Sequence, residues 1–295
     1  MNQIYSIQNG SLSVSASTQG AELRSIRDSS GTEYLWQGGP AYWTDRSPVL
    51  FPYVGRLTGG KYVLDGNTYQ MKIHGIALYL PFALVEHGPS SMTFQLQSDE
   101  GTLGQYPRAF CFRIRYFLEE STLYVEYTVE NLSDKTMYFG LGGHPGFRVP
   151  LEPGLAFEDY DLRFCEKCAP TRVGFGKTCL RNGADAPFSL TEDQILPLRH
   201  DLFDDDAIVL ADIPRQITLE APGGRRSITV SFPQMPYLGI WHAPGTDAPY
   251  VCIEPWCSLP AWQDKIPVLE EQEDLLSLSP GQCYQNTWHI HIHRP

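Results

Sequence analysis

Apolar and polar side chains alternate with a period of two through most of the chain, which is the pattern of β-strands that bury one face. The alternation is clearest in residues 110–118 and 122–130, which are separated by a short polar turn. Two further pairs of segments turn at Asn9-Gly10 and Asp65-Gly66, dipeptides that favour tight hairpins. We predict strands or strand pairs in residues 2–17, 61–71, 92–97, 110–118, 122–130, 207–211, 216–220, 227–232, 250–253 and 283–293.

Helical periodicity is weak everywhere, and only residues 193–203 and 270–276 are predicted to form short helical turns. The composition agrees with a β-protein, because 16 Tyr, 14 Phe and 6 Trp favour strands while 26 Gly and 23 Pro favour turns. No internal repeat, low-complexity tract or linker interrupts the pattern. We therefore predict an all-β fold, a large antiparallel β-sandwich that takes up residues 1–295 as a single domain.

The chain carries 22 Lys and Arg against 34 Asp and Glu, a formal net charge of −12. Such an acidic surface repels nucleic-acid phosphates and anionic lipids, so we expect no nucleic-acid partner and no membrane association. No apolar run reaches the ~18 residues of a transmembrane helix. The N-terminal sequence lacks the pattern of a secretory signal, so we expect a cytoplasmic location.

The seven cysteines are an odd number in a long chain, which favours reduced thiols over a disulfide scaffold. Cys165 and Cys168 have the spacing of zinc ligands, but no second pair follows at a matching spacing. A structural role is therefore favoured for both over metal binding or redox chemistry.

Three irregular segments place polar side chains in apolar or glycine-rich surroundings, where burial is costly unless the polar group has a partner. His144 and Glu254 each directly precede a proline, which holds the residue in an extended conformation and aims its side chain in a fixed direction. An imidazole and a carboxylate are also common groups in general acid–base catalysis. Taken singly, each of these residues is more typical of a structural role. The segments are residues 47–57 (SPVLFPYVGRL) followed by His74-Gly75, residues 142–147 (GGHPGF) and residues 252–256 (CIEPW).

Together, in this order and at comparable spacing, the three segments resemble the aldose 1-epimerase (galactose mutarotase-like) family. The resemblance covers nearly the whole chain and implies the antiparallel supersandwich of that family. The sequence looks closest to the branch that lacks a well-defined sugar specificity. The residues that carry the resemblance are Pro48 to Pro52, Gly55-Arg56-Leu57, Lys61-Tyr62, His74-Gly75, Gly143 to Phe147 and Cys252 to Trp256.

The resemblance implies roles for three catalytic residues. Glu254 matches the general base that takes the proton of the anomeric hydroxyl. His144 matches the general acid that protonates the ring oxygen, and His74 matches a second histidine near that oxygen. The implied partner is a monosaccharide substrate, and the resemblance implies no cofactor and no metal.

The resemblance also implies residues that bind the sugar. Arg56 matches an arginine that binds sugar hydroxyls, although an ion pair is its more common role. A substrate-binding aspartate falls on Asp205 or Asp206, with Asp206 preferred, and an acidic turn before a strand explains this run equally well. The chain departs from many relatives at residues 76–78 (IAL) and 257–259 (CSL), beside the implied pocket, so the preferred sugar stays open.

Two other features have a structural reading beside a functional one. Trp241 ends a predicted strand and could stack on a sugar, although packing in the core is more common. His289, His291 and His293 alternate with isoleucines, so they share one strand face that could bind a metal. A solvated face is the favoured interpretation.

The sequence therefore predicts an isomerase that interconverts α and β anomers of a free sugar, with a bell-shaped pH profile. Three alternatives stay open: a carbohydrate-binding or sugar-sensing protein without turnover, a hexose-6-phosphate epimerase, and a metal-dependent enzyme that uses His74, His144 and Glu254 as ligands. A neutral sugar is favoured because phosphate sites need clustered basic groups. Arg148, four residues after His144, is the residue best placed to reach a 6-phosphate. The oligomeric state is open between monomer and homodimer.

Overall fold

The computed structural model describes residues 2–295, and their secondary structure is almost entirely β. The strands up to residue 143 are β1 (Ile4–Gln8), β2 (Leu12–Ser17), β3 (Leu23–Asp28), β4 (Val49–Leu50), β5 (Lys61–Leu64), β6 (Asn67–Gln70), β7 (Ala83–His87), β8 (Ser91–Gln97), β9 (Phe110–Glu119), β10 (Thr122–Asn131), β11 (Met137–Phe139) and β12 (Gly142–Gly143). The later strands are β13 (Gly146–Arg148), β14 (Asp161–Phe164), β15 (Thr171–Arg172), β16 (Ala186–Pro187), β17 (Ile195–Pro197), β18 (Ile208–Ala211), β19 (Gln216–Glu220), β20 (Ser227–Ser231), β21 (Tyr237–Trp241), β22 (Tyr250–Trp256), β23 (Leu276–Leu278) and β24 (Cys283–His293).

Helical structure is confined to short pieces. Helix α1 covers Glu100–Gln105, and 3-10 turns cover Thr58–Gly60, Ala77–Tyr79, Phe157–Asp159, His200–Phe203 and Leu269–Glu271. Within residues 2–295, no helix has the length and apolar character needed to span a membrane.

Two large antiparallel sheets dominate the fold. The first has nine strands in the order β17-β14-β19-β20-β24-β10-β9-β8-β7. The second has the order β16-β15-β18-β21-β22-β12-β4, and β13 also pairs with β22. Smaller sheets are formed by β1-β2-β3, β5-β6 and β11-β23.

The two large sheets face each other across the main hydrophobic core. Phe51, which follows β4 of the second sheet, stacks on Phe112 of the first with ring centroids 4.5 Å apart. Val251 and Ile253 of β22 enter the same core as the inward side chains of β10, which are Leu123, Val125, Tyr127 and Val129. The predicted large antiparallel β-sandwich is therefore confirmed, while its extent as one domain over residues 1–295 stays a prediction.

The alternation located the long strands closely, but the predicted helical turns were wrong in large part. β19 and β24 begin and end at the predicted residues. Residues 193–203 instead contain β17 before the 3-10 turn at His200–Phe203, and residues 270–276 run into β23. β17 pairs with β14, more than thirty residues earlier, so local periodicity could not reveal its conformation.

The histidines of β24 lie on the outer face of the first sheet, as predicted. Ile290 and Ile292 between them are buried, whereas His289 and His291 are partly exposed and His293 is exposed. The alternation thus reflects a strand with one buried face.

All seven cysteines are free thiols. Cys165 is exposed and Cys168 is partly buried, and partial burial is the main cause that raises the pKa of both thiols. Both are therefore protonated at neutral pH.

Candidate active site

The outer face of the second sheet carries a cavity of about 450 Å³, a volume within the usual range for small-molecule sites. Side chains of β22 alternate between the two faces, so Glu254 and Trp256 point into this cavity while Ile253 enters the core. All seven residues predicted to form a site line the cavity: Arg56, His74, His144, Asp205, Asp206, Trp241 and Glu254. The motifs, which are far apart in the sequence, therefore meet at one place.

His144 reaches the cavity at the break between β12 and β13. Its backbone N–H donates to the carbonyl of Pro48 at 3.1 Å, and the N–H of Ile253 donates to the carbonyl of Pro145, also at 3.1 Å. Two hydrogen bonds thus fasten the His144-Pro145 peptide between the first motif and β22. This explains how three distant sequence motifs come to share one site.

The glycines before His144 make room for protein side chains. A Cβ on Gly142 would lie 2.9 Å from the indole of Trp256, and one on Gly143 would lie 2.6 Å from that of Trp288. Both contacts are too close for any residue but glycine. The two glycines therefore allow two tryptophan rings to approach the backbone closely.

His74 occupies a left-handed backbone conformation, with φ of 63°. Its Nδ1 accepts a hydrogen bond from the backbone N–H of Gly55 at 3.1 Å. Its own N–H donates to the carbonyl of Gly55 at 2.9 Å. Because Nδ1 accepts, the neutral ring carries its proton on Nε2, which is left as a donor.

Gly75→Ala should destabilise the fold at this loop. Gly75 has φ of 86°, and a Cβ there would lie 2.2 Å from the carbonyl oxygen of Phe51. We expect the free energy of unfolding to fall by about 1–3 kcal/mol for the overlap, in addition to about 1–2 kcal/mol for the left-handed backbone. Gly66→Ala is the matched control, because Gly66 has φ of 73° with no atom within 4 Å. Urea unfolding measures the free energy of unfolding of both variants. Equal losses of stability would show that the protein relieves the overlap at Gly75 without cost.

His144 and Glu254 form a buried pair, with Nε2 of the histidine 3.2 Å from Oε2 of the glutamate. His144 is 8% exposed and Glu254 is 2% exposed. Burial raises the pKa of Glu254 well above its usual value, and the charge of Asp206 adds to the rise, whereas the nearby indole of Trp256 opposes it. Burial lowers the pKa of His144 to about 4. The two shifts are opposite in direction, so when the pair holds one proton, burial favours the form with that proton on Glu254 over the ion pair.

His74 stands beside this pair as a neutral group. Its ring lies edge-on to that of His144, with centroids 5.5 Å apart. Burial lowers the pKa of His74 well below its usual value, and the charges of His144 and Arg56 lower it further. His74 can therefore donate a hydrogen bond from Nε2 but is not charged at neutral pH.

Asp206 and Cys179 meet at the rim, and both have left-handed backbones, with φ of 77° and 58°. Sγ of Cys179 donates to Oδ2 of Asp206 at 2.7 Å, while Oδ1 accepts from the N–H of Ala207 at 3.0 Å. Burial, followed by the hydrogen bond to Asp206, raises the pKa of Cys179 to about 11, so the thiol stays protonated. Asp205 also lines the cavity but is more exposed.

Arg56 is exposed at the same rim. Among the ion pairs of residues 2–295, none involves its guanidinium. The ion-pair interpretation of Arg56 therefore does not apply, and its guanidinium lies beside the thiol of Cys179.

Two tryptophans flank His144. The ring centroid of Trp43 lies 4.9 Å from that of His144, and Trp241 lies edge-on at 5.9 Å. Trp241 packs against a small apolar cluster on the outer face of the sheet, apart from the main core, and it lines the cavity.

Sequence reasoning missed several residues that line the cavity, among them Trp43, Asp45 and Cys179. Trp43 and Asp45 directly precede the first motif, so their position was a usable signal. No sequence signal pointed to Cys179, because it lies in a loop far from every motif in the sequence.

One set of side chains in the site has ligand atoms suited to a metal ion. The nearest ligand atoms of His144, Cys252 and Glu254 all lie within 4.8 Å of one another, and all three residues are buried. This set differs from the His74, His144 and Glu254 set considered from the sequence by one residue, Cys252.

The sequence profile of the family described as aldose 1-epimerase matches residues 3–291. The chain is 31% identical to chromosomal protein LacX of Lactococcus lactis subsp. lactis over 295 residues, which cover 97% of this chain and 98% of LacX. A solved structure of a galactose mutarotase related enzyme from Lactobacillus acidophilus has a TM-score of 0.94 and 32% identity, covering 99% of this chain and 97% of that one. A galactose mutarotase-like protein from Lactobacillus casei ATCC 334 has a TM-score of 0.92 and 32% identity, covering 99% and 100%. On the sequence match and the shared architecture, this chain belongs to the aldose 1-epimerase family.

Proposed function

We propose that this protein is a mutarotase, an isomerase that interconverts the α and β anomers of a free monosaccharide. Opening of the sugar ring requires that one proton leave the anomeric hydroxyl and that another reach the ring oxygen. Closure on the opposite face of the aldehyde reverses both transfers. A positioned base and a positioned acid each accelerate such steps by about 10²–10⁴-fold.

The observation that carries this proposal is the 3.2 Å contact between Nε2 of His144 and Oε2 of Glu254. The anomeric oxygen and the ring oxygen are bonded to the same carbon of the sugar. The acid and the base must therefore stand side by side, as these two groups do. Both open into the cavity, where a monosaccharide can rest on them.

Glu254 acts as the base and His144 as the acid in this mechanism. Ring opening starts from the carboxylate and the imidazolium, whereas burial favours the proton on Glu254. The two forms differ by one proton transfer across the 3.2 Å contact, and hydrogen bonds from sugar hydroxyls stabilise the carboxylate. Ring opening then moves a proton from the anomeric oxygen to Glu254 and another from His144 to the ring oxygen. The pair keeps one proton throughout and is ready for closure.

The other predicted residues bind and orient the sugar in this proposal. His74 donates from Nε2 toward the ring oxygen as a neutral imidazole. Arg56 and Asp206 bind hydroxyl groups at the rim, where the guanidinium makes no ion pair and the carboxylate accepts a hydrogen bond from Cys179. The indole of Trp241 offers an apolar face to the C–H groups of the sugar.

The direct test follows the optical rotation, or the NMR anomeric signals, of freshly dissolved α-glucose and α-galactose. With the protein present, the approach to anomeric equilibrium should be much faster than in the same buffer alone. Binding of sugar without acceleration would support the carbohydrate-binding alternative and would refute the enzymatic proposal. Activity that is insensitive to a chelator would speak against a metal-dependent reaction.

The cavity favours a neutral sugar over a sugar phosphate. Within residues 2–295, Arg56 is the one lysine or arginine that lines it. Arg148, the residue considered for a 6-phosphate, is exposed on β13 and does not line the cavity. Besides Glu254, the carboxylates of Asp45, Asp205 and Asp206 line the same space and would repel a dianion.

Anomer exchange of glucose should have a higher kcat/KM than that of glucose 6-phosphate by at least about tenfold, because like-charge contacts cost several kcal/mol. Raising the salt concentration should narrow this gap, since salt screens the repulsion at the exposed rim. NMR assays of the two sugars at equal substrate concentrations measure both rates. A preference for the phosphate would overturn the neutral-sugar assignment while leaving the acid–base proposal intact.

A further inference from the structure

Cys252 lies directly beneath the proposed acid–base pair. It is two residues before Glu254 on β22, so both side chains project from the same face of the strand. Cys252 is fully buried and packs in the small cluster of Ala243, Ala248 and Tyr250. It does not line the cavity, whereas His144 and Glu254 do.

The three side chains offer one nitrogen, one sulfur and one oxygen ligand within a small volume. Their nearest ligand atoms all lie within 4.8 Å of one another. In a tetrahedral zinc site with metal–ligand bonds of about 2.0–2.3 Å, ligand atoms are roughly 3.3–3.8 Å apart. To hold an ion, the side chains would therefore have to move together by up to about 1 Å.

We propose that His144, Cys252 and Glu254 form an inhibitory site for a zinc-class divalent cation, which enters through the cavity and occupies the acid–base pair. Nε2 of His144, Sγ of Cys252 and one carboxylate oxygen of Glu254 bind the ion. The fourth position faces the cavity and takes water. The inhibitory effect rests on the proposed mutarotase function, whereas binding of the ion does not.

The ligand set selects the class of metal. A thiolate and an imidazole suit Zn²⁺ and Co²⁺, while Mg²⁺ and Ca²⁺ need several oxygen ligands that this buried place does not provide. Binding requires the thiolate of Cys252, so the thiol proton is released to solvent. The one proton of the His144–Glu254 pair is released as well, because both groups give their lone pairs to the metal. The occupied site then has neither an acid nor a base.

Binding is tested with Co²⁺, because ligation by a thiolate produces charge-transfer absorption that nitrogen and oxygen ligands do not. The full chain carrying Cys165→Ser, Cys168→Ser and Cys283→Ser serves as the reference, since Cys165 and Cys283 are the exposed thiols and Cys168 is partly exposed close to Cys165 in the sequence. The reference should show the thiolate band, and added Cys252→Ser should abolish it. Added Cys179→Ser is the matched control for a second thiol at the same cavity, and it should leave the band in place. A band that persists in Cys252→Ser, or that disappears in Cys179→Ser, would overturn the assignment.

Inhibition is tested separately with Zn²⁺. Since even outer-shell partners change metal affinity about 10–100-fold, loss of the direct ligand should raise the half-inhibiting Zn²⁺ concentration by at least about tenfold. Cys252→Ala provides a second variant if serine disturbs this apolar place, and near-UV circular dichroism checks that each variant is folded. A chelator should restore activity to the reference protein. Equal Zn²⁺ sensitivity of reference and folded Cys252 variants would refute the proposal. If no protein accelerates anomer exchange, the Co²⁺ band still decides the site.

Discussion

Glu254→Gln should slow anomer exchange by about 10²–10⁴-fold, the usual contribution of a positioned general base. Glutamine keeps the size and the hydrogen-bonding outline of the side chain but cannot accept the proton of the anomeric hydroxyl. Because the cavity is otherwise unchanged, the sugar should still bind. Polarimetry or NMR measures the exchange rate, and quenching of the cavity tryptophans measures binding.

Asp45→Asn is the matched control for this variant. Asp45 is a carboxyl group in the same cavity, and its replacement by the amide makes the same chemical change without touching the acid–base pair. It should keep most of the exchange activity. If Glu254→Gln retains a near-normal rate, Glu254 is not the base, and if both variants lose activity equally, the charge of the cavity matters more than proton transfer.

Glu254→Gln should also change the pH dependence of the free energy of unfolding. The folded pKa of Glu254 lies well above the unfolded value of about 4.5, so the folded protein holds a proton that the unfolded chain has already released. The parent protein therefore loses stability as pH rises from the unfolded pKa through the folded pKa. Glutamine does not titrate, so Glu254→Gln should gain stability relative to the parent over that window. Urea unfolding at several pH values checks this sign.

His144→Gln should also slow anomer exchange by about 10²–10⁴-fold, because the ring oxygen loses its general acid. Glutamine can hydrogen-bond to Glu254 but cannot carry the catalytic proton. The double variant with Glu254→Gln should be little slower than the slower single variant, since the two groups act as a unit. Exposed His87 supplies the control variant His87→Gln. Multiplicative losses in the double variant would contradict the paired mechanism.

The pH profile gives the second readout for His144. As pH falls through about 4, the lowered pKa of His144, the pair takes up a second proton and no base remains. As pH rises through the raised pKa of Glu254, the pair loses its single proton and no acid remains. The parent should therefore show a bell, with its acid limb near pH 4. In His144→Gln only the ionisation of Glu254 is left, so its residual activity should rise with pH along a single limb.

The sequence alone determined the β-class of the protein, because alternation is a local property. β10 and β24 each bury one face along most of their length. Polar side chains at every second position lie on the opposite face, and this alternation identifies the strand. Short strands carry too few residues for such a pattern. β15 and β16 have two residues each, and they become strands through pairing partners elsewhere in the chain.

The sequence also identified the chemical groups of the candidate site, through three motifs and the family that they resemble. It could not tell where the proton of the His144–Glu254 pair lies. In water near neutral pH, a glutamate is a carboxylate, and a histidine is either an imidazolium or a neutral ring. The two groups titrate independently there. Burial of both against the second sheet reverses the preference, and burial is a property of the folded chain alone.

The remaining site residues were decided by tertiary structure. Asp205 and Asp206 could not be distinguished from sequence, and both line the cavity because the loop before β18 passes along its rim. Cys179 reaches Asp206 from a loop twenty-seven residues earlier in the chain, and Cys252 lies under His144 because β12 and β13 both pair with β22. Such contacts join residues whose separation in sequence carries no pattern, so only the packing of loops on the sheet could bring them together.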